Sequence, residues 1–188
     1  FAGRGVASLG LQDFQRANDD FTQAIKLNPQ NKAAIAGRGK ARNILKDNAG
    51  DIDDLNQAIK LGFKAPIAYY FRGDARSETK DYQGAISDFS QAIKIKPNYA
   101  VAYNDRGFAH AKLKDYQTAR NDFTQAIKIN PNYAKSYTGR GISRAELKDY
   151  PGAISDLEKA SVLSKQQGNE KLHQVAQEAI KLVRRKMK

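Results

Sequence analysis

The sequence predicts an all-α protein built from tandem pairs of helices, and one repeating motif carries most of that prediction. The segment KDYQGAISDFSQAIKIKPNYA begins at Lys80, and close copies begin 34 residues later at Lys114 and again at Lys148. Glycines keep the same spacing along the chain, at Gly5, Gly39, Gly73, Gly107 and Gly141. A period of this length is typical of helical repeats that stack on their neighbours. We therefore expect five units, over residues 1–31, 32–65, 66–99, 100–133 and 134–167.

Each unit is predicted to contain two amphipathic helices, because apolar residues recur three and four positions apart. In the fourth unit the residues that mark the two helices are Tyr103, Gly107, Ala111, Tyr116, Ala119, Phe123, Ala126 and Ile127. The small side chains of Gly107 and Ala119 allow two helix backbones to approach closely. Asn130 and Pro131 end the second helix, since the residue before a proline is disfavoured in the helical region.

This pattern resembles the signature of the tetratricopeptide repeat family, which the fourth unit carries in Tyr103, Gly107, Tyr116, Ala119, Phe123, Ala126 and Pro131. The resemblance extends over all five units and implies a right-handed superhelical solenoid of helix-turn-helix repeats. The second unit departs from the pattern, with Asn48 and Asp51 where the other units carry an aromatic residue and alanine. We expect looser packing or a shifted angle between helices in that unit.

A further helix is predicted in the segment 168–188, which follows the fifth unit. Apolar residues share one face of it, and Gly168 and Asn169 supply a helix stop and a helix cap. The segment resembles the capping helix that closes such solenoids. Its basic end, KLVRRKMK, is expected to be solvated, and contact with an acidic partner is the alternative. Because the chain begins at Phe1, part-way through a repeat, we expect it to belong to a longer protein.

The resemblance also implies a function, because the family binds extended peptides or partner helices in a concave groove lined mainly by first helices. We therefore expect a non-enzymatic scaffold for another protein or peptide. The groove residues that the resemblance implies are Lys40, Asn43, Tyr70, Asp74, Asn104, Phe108, Lys135 and Ile142. Tyr70 and Phe108 are the expected apolar anchors, and Asn104 is expected to hold a ligand backbone through its amide. The alternative for both rings is packing against neighbouring units.

Some members of the family clamp the carboxylates at a partner's C terminus with lysine, asparagine and arginine side chains. Only Lys135 occupies a matching position in this sequence, and Tyr70, Asp74 and Gly139 stand where other clamp residues would be needed. We therefore expect no binding of chaperone C-terminal tails.

Every unit carries an arginine immediately before its glycine and an aspartate sixteen residues later. The first helix would hold the arginine and the second helix the aspartate, so we predict charge-assisted bridges inside the repeats. The predicted pairs are Arg4 with Asp20, Arg38 with Asp54, Arg72 with Asp88, Arg106 with Asp122, and Arg140 with Asp156. The alternative is an arginine stripe that binds phosphate or acidic ligands.

The net charge of +12 favours a second function, a basic adaptor that binds nucleic acid or an anionic membrane surface. Stacked repeats would turn two lysine series into ladders, Lys46, Lys80, Lys114 and Lys148 between helices and Lys26, Lys60, Lys94 and Lys128 near helix ends. No aromatic residues alternate with these lysines as single-strand binding requires, so nucleic acid is the less expected partner.

Catalysis is not expected from this sequence. It contains no cysteine, which excludes disulfides and thiolate chemistry but assigns no compartment. Its two histidines, His110 and His173, lack partners at metal-ligand spacing, and we expect His110 to lie in the core or groove. No catalytic motif, apolar run of membrane-spanning length or secretory signal is found. We therefore expect no enzyme activity, no cofactor and no metal site.

Overall fold

The structure is a computed structural model that describes residues 1–187, and over that range it contains eleven helices and no strands. The prediction of an all-α fold is therefore confirmed. The helices are α1 (Ala2–Gly10), α2 (Phe14–Leu27), α3 (Lys32–Ile44), α4 (Asn48–Lys60), α5 (Pro66–Glu78), α6 (Tyr82–Ile95), α7 (Ala100–Lys112), α8 (Tyr116–Ile129), α9 (Ala134–Glu146), α10 (Tyr150–Gln166) and α11 (Glu170–Lys186).

The chain divides into two compact units, Phe1–Lys96 with α1 to α6 and Pro97–Lys188 with α7 to α11. Within each unit, helices that follow one another in the chain are in contact. First helices of successive repeats also contact each other, as α3 does with α5 and α7 with α9. Within the described part of either unit, no Cα atoms of two second helices lie within 8 Å of each other. One side of each unit is therefore formed by first helices.

The core of the second unit centres on Phe123, a fully buried residue of α8. A Cβ atom at Gly107 of α7 would lie 3.0 Å from the Phe123 ring, and one at Gly139 of α9 would lie closer still. Only glycine therefore allows both first helices to pack this tightly against the ring. The fifth repeat has Leu157 in the place of Phe123, and it is equally buried.

The turns between the two helices of each repeat share one backbone conformation that the sequence reasoning did not predict. Their φ angles lie between +61° and +67°, the left-handed region, at Gln12, Lys46, Lys80, Lys114 and Lys148. An aspartate follows each of these residues and caps the second helix, as Asp115 does by accepting a hydrogen bond from the Thr118 amide at 3.1 Å. The capped turn thus fixes where each second helix begins.

Arginine and aspartate join the two helices of each repeat. All five predicted pairs are in contact, with Nη2 to Oδ1 distances of 2.5–2.7 Å, and the arginine Nε also donates to the same carboxylate. All five aspartates are buried, four of the five arginines are partly buried, and Arg4 is exposed. These guanidinium groups are engaged within the repeats, which supports their structural role over an anion-binding stripe.

A second arginine, which sequence reasoning missed, binds the same aspartate in three repeats. Arg42, Arg76 and Arg144 donate through Nη1 to the Oδ2 of Asp54, Asp88 and Asp156 at 2.8–2.9 Å. They stand four residues after the first arginine and keep the 34-residue period, which is the signal that could have revealed them. In the fourth repeat His110 takes this position, with Nε2 4.0 Å from Asp122 Oδ2.

The first arginine also reaches the preceding repeat of the same unit. Arg72 Nη1 donates to Asn56 Oδ1 at 2.7 Å, and Arg140 Nη1 donates to Thr124 Oγ1 at 3.4 Å. Both acceptors lie sixteen residues before the arginine, just as the aspartate lies sixteen residues after it. One guanidinium group thus links three helices, which fixes both the pairing within a repeat and the contact with its neighbour.

Replacing Asp156 with alanine should lower the free energy of unfolding by about 3–5 kcal/mol, because two partly buried guanidinium groups lose their carboxylate. Asp122→Ala should cost less, since only one arginine loses its carboxylate there. The measurement is thermal and urea unfolding followed by circular dichroism. Glu158→Ala, which removes an exposed pair with Arg184, is the control and should cost about 0–1 kcal/mol. An unchanged melting temperature for Asp156→Ala would contradict the buried bridge.

Replacing Lys114 with glycine should raise the free energy of unfolding by about 0.5–1 kcal/mol, because glycine adopts the left-handed conformation without the steric cost that lysine bears. The same change at Lys112, the last residue of α7, should lower stability because the position is helical. Urea denaturation of both variants beside the wild type measures the difference. Equal destabilisation by the two changes would show that the turn carries no strain.

Candidate functional site

An apolar cavity of about 260 Å³ opens on the first-helix side of the second unit. Its walls include Phe108 and Ala111 of α7, Tyr116 and Phe123 of α8, and Ile142 of α9. The Phe108 ring meets Phe123 edge to face, with the centroids 4.9 Å apart, and Ile142 is 39% exposed. Lys112 contributes a cation to the lining. Two predicted groove residues from successive repeats, Phe108 and Ile142, thus line the same cavity.

The first unit has a smaller cavity of about 140 Å³ on its own first-helix side. Lys40 of α3 lines it together with Ile67 and Phe71 of α5, and the lysine Nζ lies 5.8 Å from the centre of the Phe71 ring. Phe71 was not among the predicted groove residues. Gly37 stands at the corresponding position one repeat earlier, and it lines the same cavity.

Tyr70 packs within its own repeat. Its ring lies 5.5 Å from the Phe71 ring and 5.8 Å from the Phe89 ring, measured between centroids, and the residue is partly buried. These ring contacts lie within the third repeat, whereas the alternative left open by the sequence was packing against neighbouring units. Lys135, another predicted groove residue, is exposed on α9.

Asn104 does not lie where the groove prediction placed it. It is only 1% exposed, its Oδ1 accepts a hydrogen bond from Ser136 Oγ at 2.8 Å, and its Nδ2 donates to Asp105 Oδ1 at 2.8 Å. The amide therefore links α7 to α9 and is not presented to a ligand. Ser136 occupies a register at which the earlier repeats carry alanine, namely Ala34, Ala68 and Ala102, and that polar exchange was the available signal.

Asn43 needs the same correction. It is buried, and its Nδ2 donates to Asp51 Oδ2 at 2.9 Å and to Asp74 Oδ2 at 3.1 Å, so it joins α3, α4 and α5. Asp74, predicted as a groove residue, is thereby tied to this buried cluster. Asp51 also stands at an alanine register, equivalent to Ala17, Ala85, Ala119 and Ala153. In both cases a polar residue stands where other repeats have alanine, and it forms a hydrogen bond with the buried asparagine: Ser136 with Asn104, and Asp51 with Asn43.

Burial governs the ionisation of Asp51. The carboxyl is fully buried, and this desolvation raises the pKa of Asp51 to about 8, with the neighbouring Asp74, Asp54 and Asp47 acting in the same direction. The hydrogen bond from Asn43 opposes the pKa shift without cancelling it. The Oδ1 atom has no hydrogen-bond partner among the described residues. The irregular second repeat thus contains a carboxyl that stays protonated at neutral pH.

The two histidines contact residues of the second unit. His110 Nδ1 lies 3.5 Å from Asp115 Oδ2, and His173 Nδ1 lies 2.9 Å from Ser161 Oγ, which docks α11 on α10. Within residues 1–187, no three acidic or histidine side chains are grouped as a metal site would need. None of the described helices is both long and apolar enough to cross a membrane.

Asp51→Ala should stabilise the protein, and the gain should grow as the pH rises from 5 to 8. The unfolded chain releases the Asp51 proton near pH 3.8, whereas the folded chain holds it to about pH 8, so wild-type stability falls across that interval. The difference in unfolding free energy between variant and wild type should increase by about 1–4 kcal/mol over this range. Asp51→Asn, which cannot titrate, is the control. Parallel pH profiles for wild type and Asp51→Ala, measured by urea unfolding, would contradict the buried neutral carboxyl.

Comparison with known proteins places these features in one family. The sequence matches the family description "Tetratricopeptide repeat" over residues 3–62 and 100–133, and "TPR repeat" over residues 73–114. The TPR domain of Arabidopsis OM64 is 30% identical, with 64% of this chain and 95% of that chain covered and a TM-score of 0.60. No curated protein sequence matches this chain.

Two further solved structures are similar at lower identity. YrrB, described as a TPR protein with an unusual peptide-binding site, is 18% identical, with 96% of this chain and 90% of that chain covered and a TM-score of 0.81. MamA from Desulfovibrio magneticus RS-1 is also 18% identical, with 88% and 93% covered and a TM-score of 0.79. These likenesses confirm the predicted solenoid fold class. The chain belongs to the tetratricopeptide repeat family.

Proposed function

We propose that this chain is a non-enzymatic scaffold that binds a peptide or a partner helix along the first helices of its repeats. Proteins of this family and fold are generally non-catalytic and bind other proteins or peptides. The observation that carries the proposal is the apolar cavity between Phe108 and Ile142. It is a half-open pocket on the face that first helices form, with room for an apolar side chain of a ligand.

The variation of one register supports this role. Lys40, Asp74, Phe108 and Ile142 are spaced by 34 residues and so occupy equivalent positions in four repeats. Their chemistry changes from cationic to anionic to apolar, while the arginine and aspartate that join the helices do not change. The arginine–aspartate pairs thus form a constant framework, while the side chains of this register differ from repeat to repeat. Such variation is what we expect of side chains that determine which ligand binds.

The first unit offers a different surface for the same purpose. Its cavity combines the Lys40 cation with the Phe71 ring, and it is about half the volume of the cavity beside Phe108. Such a site would accept a smaller side chain and favour an acidic or polar neighbour. The YrrB structure supports peptide binding as a function that this fold can perform, since it is described as having a peptide-binding site.

The basic adaptor is the second candidate. Lys46, Lys80, Lys114 and Lys148 are all exposed at turns of the same backbone conformation, so each of the second to fifth repeats presents one cation there, whereas the first repeat has Gln12. Lys46 is drawn toward Glu78, with Nζ 3.6 Å from Oε1. A ligand held by this ladder would be released by moderate salt, because exposed charges are screened. A ligand held in the apolar cavity would tolerate the same salt.

Short peptides that bind the wild-type chain can be selected from a random display library. Their affinity for Phe108→Ala or Ile142→Ala should be lower by about tenfold or more, because each change removes a wall of the apolar cavity. Isothermal titration calorimetry measures the loss, and melting curves verify folding. Val162→Ala, another exposed apolar residue of the second unit, is the control and should bind as the wild type does.

A different pattern would overturn the proposal. If the selected peptides lose affinity on Lys114→Ala and Lys148→Ala or on raising salt, and are indifferent to Phe108→Ala, the lysine ladder is the binding surface. If the library yields no peptide that binds, the scaffold function is contradicted as well.

A further inference from the structure

The last helix is longer than its role as a cap requires. The first helix of the fifth repeat, α9, has 13 residues and ends at Glu146, and the equivalent position one period later is Ile180. Helix α11 has 17 residues and continues to Lys186. Burial of Ala176 and Ile180 already attaches the helix to the fifth repeat. Residues 181–186, the α11 extension, therefore call for a further explanation.

The α11 extension forms one wall of a cavity of about 340 Å³. The other walls come from α9 and α10, and the apolar lining consists of Ile142, Ala145, Leu157, Ala179, Leu182 and Val183. Leu182 is 57% exposed, although a solvated helix end would more readily carry a polar residue at this position. The extension therefore places apolar surface around an open cavity.

One buried side chain and two exposed ion pairs attach the α11 extension to the neighbouring helices. Lys186 Nζ lies 3.0 Å from Glu146 Oε1 on α9, and Arg184 Nη2 lies 3.2 Å from Glu158 Oε1 on α10. Val183, which precedes both cations in the chain, is buried against the core of the fifth repeat. The cavity wall is thus anchored on both neighbouring helices, so the cavity exists before any ligand arrives.

Ile142 borders this cavity and also the cavity beside Phe108. The second unit therefore has two apolar cavities that share Ile142 as a wall, and we call them the Phe108 socket and the α11 socket. Charged residues line both of them: Lys112 at the Phe108 socket, and Glu146, Arg185 and Lys186 at the α11 socket. Glu146 pairs with Lys186, so the α11 socket keeps a net positive charge from Arg185. Arg185 is exposed and forms no ion pair with the described residues, so it is available to a ligand carboxylate.

We infer that the second unit binds a peptide with two apolar side chains, one in each socket, and acidic residues beside them. Charge complementarity selects this occupant, because the socket rims are basic and the chain carries a net charge of +12. A second copy of the chain would bring charge of the same sign. A flat bilayer surface would not fill two separate sockets. The inference rests on the proposed scaffold function and adds α11 to the binding surface.

Ala179→Phe tests the α11 socket, because the added ring fills it without altering charge. Peptides selected from the random display library on the wild-type chain should pair two apolar residues with aspartate or glutamate. Their affinity should fall about tenfold or more in Ala179→Phe, as measured by isothermal titration calorimetry. Val175→Phe is the control. It also introduces a phenylalanine on α11 without altering charge, but at an exposed position outside the cavity, so the affinity should stay within about twofold of wild type.

Arg185→Glu tests the charge preference and should weaken the same peptides by about tenfold, whereas Lys171→Glu, the same charge change in the first turn of α11, should not. Peptides that respond to Phe108→Ala but to neither α11 variant would overturn the inference and leave the proposed function standing. Failure to select any peptide would overturn both. Binding of phosphatidylserine vesicles that Ala179→Phe abolishes, without peptide binding, would assign the socket to a membrane and also overturn it.

Discussion

The contact between the first-helix arginine and the buried second-helix aspartate is the interaction on which the rest of this structure depends. A carboxylate inside a repeat is stable only when cations and donors surround it, so the helices must pair in the one arrangement that provides them. Arg140 meets this need for Asp156 and also reaches Thr124 of the preceding repeat. The same guanidinium group therefore fixes both the pairing of helices within a repeat and the contact with the preceding repeat. The side chains at the positions of Lys40, Asp74, Phe108 and Ile142 take no part in these contacts and differ between repeats.

The framework could be predicted from the sequence because its interactions recur at short, fixed separations. The sixteen-residue step from Arg106 to Asp122 and the glycine opposite Phe123 are visible in every repeat. The second arginine of three repeats obeys the same period, which is interrupted by Ser8 in the first repeat and His110 in the fourth. Repetition thus identifies the contacts that hold the helices together.

The varying face was predicted less well, because the direction of a polar side chain depends on its neighbours in space. Asn104 points inward because Ser136 replaces an alanine in the next repeat, and Asn43 points inward because Asp51 does so in its own repeat. Neither partner lies at a spacing that a helical pattern singles out. The α11 socket depends on three helices and on a helix end without a stop signal, so periodicity could not reveal it. Phe108 and Ile142, which have no such polar partner, line the cavity of the second unit.

The central claim is that a rigid charged framework supports a variable apolar face, and nuclear magnetic resonance with a selected peptide tests it most directly. The account predicts that saturating peptide shifts the methyl signals of Ile142 and Leu182, while the Nε–H signals of Arg106 and Arg140 stay unchanged and protected from exchange. Shifts confined to the turns at Lys114 and Lys148, with Ile142 unmoved, would contradict it.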